Sequence, residues 1–242
     1  MRGGQHTTSD FPTILGNIAN KSLRRSYEGT PRTFTAWARQ GSVIDFKPAT
    51  RAQLGEFPRL ARVGESGEIT RGTIGEGKEV IQVADYAKIV SLSRRAIIND
   101  DLSAFSRLPE MAGRAIADLE SDLVYGELTG SGKMGDNQVL FHASHGNVAA
   151  SGSVISITSL TAARAAMRKQ TGVDKQQVLN LSPEYLVVPA ALETLGQQFI
   201  ASEHYASTVE NINVFKSSLK LVVEPRLDAI SATAWYLVAS PQ

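Results

Sequence analysis

The chain contains no cysteine among its 242 residues. Disulfides, thiolate metal sites and cysteine nucleophiles are therefore excluded, and we expect an intracellular origin rather than a secreted one. An excess of charge of one sign is also missing, because 25 basic and 24 acidic residues leave a formal net charge of +1. A dedicated nucleic-acid binder usually carries a clear basic excess, so the composition argues against that class of protein.

Long apolar runs are lacking as well. The most apolar run, YLVVPAAL, is far shorter than the roughly 20 residues that a membrane-spanning helix needs. We therefore expect no membrane partner. The chain is 42% hydrophobic and 20% charged, which is ordinary for a folded protein with one large domain or two small ones.

Two helices are predicted in the first half of the chain. The stretch SDFP places a capping residue before a proline, which is typical of a helix start, and Gly29 predicts its end. A second helix is capped by Asn99-Asp100-Asp101, and its apolar residues follow one face to about Gly130. At roughly 1.5 Å per residue this helix would be on the order of 40 Å long, with Pro109 restarting or kinking it.

The segment between these helices has an unusual composition. The stretches SVIDFKPAT and KEVIQVADYAKIVSLS predict strands, and residues 51–79 between and within them hold only eight apolar side chains in 29 positions. The same window has six glycines, five basic and five acidic residues. A long hairpin of this kind buries little of itself, and an isolated two-stranded hairpin is marginal in water. We therefore expect either a mobile loop or a loop that another subunit holds. The balanced charges suit a self-complementary contact between subunits.

The C-terminal part predicts a mixture of helices and strands. Strands are expected at SVISI, YLVVPA, KLVVEP and TAWYLVA, and helices at Leu160 to about Gln170 and at ALETLGQQFIA. The fold class predicted for the whole chain is α+β.

The stretch FHASHGN, residues 141–147, is the strongest candidate for chemistry. His142 and His145 could bind a metal only with further ligands such as Asp136, Glu184 or His204. Ser144 beside a histidine does not define a triad, because geometry and not adjacency makes one. The simplest interpretation is a strand, Val139 to Phe141, that runs into an ordered turn ending at Gly146-Asn147.

No other motif implies catalysis, a metal or a cofactor. The fragment GSGKMG lacks the spacing and the hydroxyl residue of a phosphate-binding loop. The expected architecture, a long helix beside an arm-like hairpin, indicates self-assembly and not an enzyme.

An ordered series of segments along nearly the whole chain resembles the major capsid proteins of tailed bacteriophages and prophages, in particular the type encoded as a fusion of prohead protease and major capsid protein. The segments are SDFPTILGNIANKSLRRSYE, DFKPATRAQLGE, RRAIINDDLSAF, LFHASHGN, RAAMRKQTG, YLVVPAALE, LVVEPRLD and TAWYLVA.

The resemblance implies the Hong Kong 97-type capsid fold. It assigns residues 1–41 to an N-terminal arm and helix, 42–95 to an extended two-stranded loop, 96–158 to a spine helix with part of a peripheral domain, and 159–242 to part of an axial domain. Family chains generally continue beyond TAWYLVA, so a chain ending at Gln242 is expected to be truncated at its C-terminus, and Met1 to be a cut through a longer precursor.

The implied function is that of a shell subunit of a phage or prophage head, assembled in the bacterial host cytoplasm and located in the virion. The implied partners are the chain itself, a portal, a prohead protease or scaffold, and packaged double-stranded DNA bound without sequence specificity. The alternatives are an encapsulin-like nanocompartment shell and a hydrolase or metalloenzyme that uses His142 and His145. The residues expected at the contact between subunits are Leu54, Glu56, Phe57, Arg59, Arg62, Glu65, Glu68, Arg71 and Lys78.

Overall fold

The computed structural model describes residues 10–54, 76–90, 107–130, 132–172, 174–175, 177–201, 213 and 215–241. The chain divides into two units. One comprises residues 1–32 and 85–124, and the other comprises residues 33–84 and 125–242.

The regular elements follow one another as helices and short strands. The α-helices are α1 (Asp10–Gly29), α2 (Leu108–Leu128), α3 (Ile157–Arg168) and α4 (Glu193–Ala201). The strands are β1 (Ala49–Leu54), β2 (Glu76–Ile81), β3 (Pro183–Val188), β4 (Lys220–Val223) and β5 (Tyr236–Ala239). None of the helices in the described ranges is long and apolar enough to cross a membrane. The predicted mixture of helices and strands is confirmed.

In the first unit, α1 packs closely on α2 at a glycine. A Cβ atom on Gly113 would lie 2.4 Å from the carbonyl oxygen of Leu23, so only glycine permits this approach. The Ser26 hydroxyl donates to the carbonyl oxygen of Glu110 at 2.7 Å. Farther along α2, the Tyr27 hydroxyl donates to Glu120 at 2.8 Å.

The prediction for α2 is partly tested. Pro109 lies in the first turn of the described helix, where a missing backbone N–H is harmless, so this proline begins the helix. The 21 residues of α2 span about 30 Å. The predicted cap at Asn99-Asp100-Asp101 lies outside the described residues.

The core of the second unit surrounds a three-stranded sheet in the order β4-β3-β5. β3 is central, with β4 parallel and β5 antiparallel to it. Five of the six β3 residues are buried, because α3, α4 and loop residues cover the strand. The buried apolar cluster consists of Ile155, Leu160, Leu186, Val188, Phe199, Phe215 and Leu219.

A partly buried polar network joins distant parts of the second unit. The Trp37 indole N–H donates to the Tyr125 hydroxyl at 3.4 Å, and the Thr33 hydroxyl lies 2.7 Å from that same oxygen. Because Thr33 gives its only hydrogen to the Glu224 carboxylate, the Tyr125 hydroxyl must donate to Thr33. Glu224 is 2% exposed and also accepts from the Arg226 guanidinium at 2.9 Å. Burial raises the pKa of the Tyr125 phenol, which keeps the donor protonated.

Several strand predictions are wrong in their extent. SVIDFKPAT forms a strand only from Ala49 onward, and KEVIQVADYAKIVSLS only as far as Ile81. Residues 82–90 have no regular structure. SVISI is not a strand, because Ser156 caps α3 through a capping box with Ser159.

Candidate functional site

The FHASHGN stretch folds as a turn built from its own side chains. Ala143–His145 form one 3₁₀ turn, which His142 caps by accepting the Ser144 N–H at 3.2 Å. Gly146 ends the turn with φ of +64°, a left-handed conformation that favours glycine. The predicted ordered turn is confirmed.

Asn147 closes this turn from its other end. Its side-chain oxygen accepts the His142 N–H at 3.1 Å, and its side-chain amide donates to the carbonyl oxygen of Leu140 at 2.7 Å. The predicted strand from Val139 to Phe141 is wrong, because only an isolated bridge from Val139 to Lys133 forms there.

The groups that a hydrolase would need are divided between the two histidines. Ser144 Oγ lies 2.8 Å from His142 Nδ1, whereas the Asp136 carboxylate lies 2.7 Å from His145 Nε2. A triad requires the nucleophile and the orienting acid to contact the same histidine ring, which acts as the base. The two rings are instead 6.0 Å apart, edge to face. This geometry does not support nucleophilic catalysis at Ser144.

The metal interpretation gains no support in the described ranges, where no three histidine or carboxylate side chains gather around a possible ion. Of the additional ligands considered, Asp136 is paired with His145, and Glu184 accepts from the Lys220 ammonium at 2.6 Å. His204 lies outside the described residues.

The strongest candidate for a functional surface is the β1–β2 hairpin. The two strands are antiparallel, and their register places Ala49 opposite Ile81 and Leu54 opposite Glu76. Apolar side chains on β2 and on the segments beside the hairpin are exposed. We call this set the hairpin surface, and it consists of Val43, Ile44, Phe46, Val80, Ile81 and Val83.

The apolar side chains of the hairpin surface are well exposed to solvent. Phe46 is 62% exposed and Val80 is 58% exposed. The Gln82 side-chain amide donates to the carbonyl oxygen of Phe46 at 3.3 Å, which brings the two segments of the surface together. Grouped exposed apolar side chains mark an interaction site more often than single ones do.

Most of the predicted intersubunit residues lie outside the described residues. Lys78 lies exposed on β2, opposite Ala52, and the backbone of Leu54 ends β1. The other seven lie outside the described residues, and they are Glu56, Phe57, Arg59, Arg62, Glu65, Glu68 and Arg71. The hairpin surface itself was not predicted, although the apolar stretches SVIDF and EVIQV beside a polar window indicate it.

A comparison of the sequence with protein families decides what kind of protein this is. The profile of the phage capsid protein family matches residues 76–242, which is more than half of the chain, and the match begins at the first residue of β2. This chain belongs to the phage capsid protein family. The identification agrees with the predicted resemblance to major capsid proteins of tailed phages.

The fold of this capsid protein is also found in solved phage capsids. The bacteriophage JBD30 capsid matches with a TM-score of 0.66 and 15% identity, over 82% of this chain and 91% of that one. The JBD30 capsid decorated with minor capsid protein trimers matches with a TM-score of 0.63 and 18% identity, over 81% and 90% of the two chains. No curated protein matches the chain significantly in sequence.

Family and fold together indicate a structural protein of the phage head. The exposed hairpin of this capsid protein fits that role, because a shell subunit needs surfaces that are covered only after assembly.

Proposed function

We propose that this capsid protein is the repeating shell subunit of a phage or prophage head, which self-assembles into hexamers and pentamers of an icosahedral shell around double-stranded DNA. The observation that carries the proposal is the hairpin surface, whose apolar side chains are exposed on a two-stranded sheet that is marginal by itself. The match to the phage capsid family favours this function over an encapsulin-like nanocompartment shell.

The proposed contact places the hairpin of one subunit on its neighbour. Val80 and the rest of the hairpin surface would supply the apolar contact, and Arg51 and Lys78 are the exposed basic side chains on the two strands. Exposed ion pairs contribute only about 0 to 1 kcal/mol each, so apolar burial would provide most of the stability. The predicted residues from Leu54 to Arg71 would extend the same contact.

The domain assignments remain part of this proposal. Residues 1–41 would be the N-terminal arm, 42–95 the extended loop, 96–158 the spine helix with part of the peripheral domain, and 159–242 part of the axial domain of a Hong Kong 97-type subunit. The β1–β2 hairpin and α2 lie within the ranges proposed for the loop and the spine helix.

The proposed partners are packaged DNA, a portal and a prohead protease or scaffold. Lys21, Arg24 and Arg25 form an exposed basic stripe on α1, although Glu28 pairs with Arg24 at 2.9 Å. Such a stripe supports weak, salt-dependent contact with phosphates and no sequence-specific readout. Minor capsid proteins that decorate the shell, as they do in JBD30, are a further proposed partner.

The experiment is an assembly assay on the purified chain by size-exclusion chromatography with light scattering and negative-stain electron microscopy. The test variant is Val80→Asp, and the matched control is Val154→Asp, because Val154 is a 75% exposed valine outside the hairpin surface. We expect capsomers or shells from the wild type and the control, and their loss in the test variant. A wild type that stays monomeric at high concentration would overturn the proposed function. Unimpaired assembly of Val80→Asp would overturn the role of the hairpin.

A further inference from the structure

The imidazole of His145 lies between two hydrogen-bond acceptors. Nε2 is 2.7 Å from the Asp136 carboxylate, and Nδ1 is 3.0 Å from the carbonyl oxygen of Leu140. A neutral imidazole carries one N–H, so it can donate to only one of these oxygens. Only the protonated ring satisfies both acceptors at once.

The charged groups around His145 favour the same state. The hydrogen bond to Asp136 raises the pKa of His145, and the carbonyl of Leu140 and the negative charge of Glu79 act in the same direction. The hydrogen bond from His145 in turn lowers the pKa of Asp136. The other titratable group of this turn is His142, whose ring centre is 6.0 Å from that of His145.

The segment that carries Asp136 is in direct contact with the β1–β2 hairpin. The Gly135 backbone N–H donates to the Glu79 carboxylate on β2 at 2.9 Å. A Cβ atom on Gly135 would lie 2.2 Å from the carbonyl oxygen of Lys78, so the two backbones touch here. Gly135, which contacts β2, is thus followed directly by Asp136, which binds His145.

We propose that His145 is a pH-sensitive latch, which when protonated holds residues 132–147 in the arrangement that anchors β2 through Gly135, and when neutral releases one of its two acceptors and loosens that anchor. The step from a looser anchor to altered contacts between subunits rests on the proposed function. The latch itself is a property of the single chain.

The pH window follows from the directions of the two pKa shifts. Because the pKa of His145 is raised by folding, its contribution is full below the unfolded pKa and is lost as the pH rises through the folded value. Because the pKa of Asp136 is lowered, its contribution is present above its unfolded pKa and is lost as the pH falls through the folded value. The latch is therefore closed from mildly acidic pH up to the raised pKa of His145, and open above it.

The test is a pH titration of the full chain by NMR, under conditions in which it is unassembled. The His145 ring signals and the Gly135 amide signal are followed together, because the amide reports its hydrogen bond to Glu79. We expect His145 to titrate above the ordinary histidine value of 6.5, and the Gly135 amide to change with the same midpoint. A Gly135 signal that does not follow the His145 midpoint would overturn the proposal, as would a His145 midpoint at or below 6.5.

Three variants make the assignment specific. Asp136→Asn should move the His145 midpoint downward, and His145→Gln should abolish the pH dependence of the Gly135 amide. The matched control is His142→Asn, since asparagine retains a capping side chain at this position while one histidine is removed. A control that abolishes the Gly135 response as fully as His145→Gln does would contradict the latch.

These outcomes are separable from those of the assembly assay. Coupled titration in a chain that never assembles would support the latch and refute the shell function. Assembly of a chain whose Gly135 amide does not follow the His145 titration would support the shell function and refute the latch.

Discussion

Replacing Glu224 by glutamine should lower the free energy of unfolding of the second unit by about 2 to 3 kcal/mol, because hydrogen bonds to a charged group contribute roughly 1.5 to 3 kcal/mol each. Glu224 accepts one side-chain bond from the Thr33 hydroxyl and one from the Arg226 guanidinium, and it also accepts a longer bond of 3.3 Å from the Arg226 backbone N–H. Glutamine keeps the shape of the side chain but weakens both side-chain bonds, because it carries no charge. Its amide N–H groups would also face the N–H or O–H donors that the carboxylate accepts from. The Arg226 side chain is 32% exposed and regains water, which keeps the loss below the sum of the two bonds.

The matched control is Glu184→Gln in β3, the strand that pairs with β4 just before Glu224. Glu184 accepts from the Lys220 ammonium at 2.6 Å, but the two side chains are 33% and 66% exposed. Exposed pairs contribute about 0 to 1 kcal/mol, so this variant should be nearly as stable as the wild type.

Urea unfolding of the unassembled chain, followed by tryptophan fluorescence, measures both variants. Trp37 reports on the network because its indole donates to Tyr125. With a urea dependence of roughly 2 to 3 kcal/mol per molar, Glu224→Gln should lower the midpoint by about 1 M. Equal midpoints for the two variants would refute the reasoning that burial makes the Glu224 bonds strong.

Two further substitutions test close packing and turn closure. Gly113→Ala should destabilise the pairing of α1 with α2 by about 1 to 3 kcal/mol, because the added methyl group collides with the Leu23 carbonyl. This collision outweighs the better helix propensity of alanine. Hydrogen exchange of the α1 amides measures the effect, and unchanged protection of those amides would contradict it. Asn147→Ala should leave the His142 N–H without its side-chain acceptor and lower the stability of the turn by about 0.5 to 1.5 kcal/mol, which faster hydrogen exchange of that amide would show. Asn147→Asp should retain most of the protection of the amide, because the acceptor oxygen remains.

Local patterns predicted the elements that depend on neighbours in sequence. YLVV is a run of apolar and β-branched residues that only a covered strand can bury, and it is the central strand β3. Gly29 and Pro109 mark the end of α1 and the beginning of α2 through backbone effects that act within one turn. The turn at FHASHGN was predictable for the same reason, because its capping contacts lie within a few residues.

Features that depend on distant residues could not be predicted in this way. Residues 82–90 have the composition of a strand, but a strand needs a partner, and β2 stops pairing at Ile81. Nothing in LVVEP shows that Glu224 is buried against Thr33, which is 191 positions away. The contact of Gly135 with Glu79 likewise joins residues 56 positions apart. Only the three-dimensional structure brings such pairs together.

The strand order β4-β3-β5 has a consequence for how the protein is made. Among the described residues, both strands that pair with β3 follow it in the chain, since Tyr185 lies opposite Lys220 on one side and Val238 on the other. While the ribosome is still translating the residues after β3, the emerging β3 has no strand to pair with and its apolar side chains are uncovered. Non-local pairing of this kind slows folding and leaves aggregation-prone apolar surface exposed until the partner strands are available. We therefore expect the nascent chain to depend on chaperones until β5 has emerged, which also delays encounters between unfinished subunits.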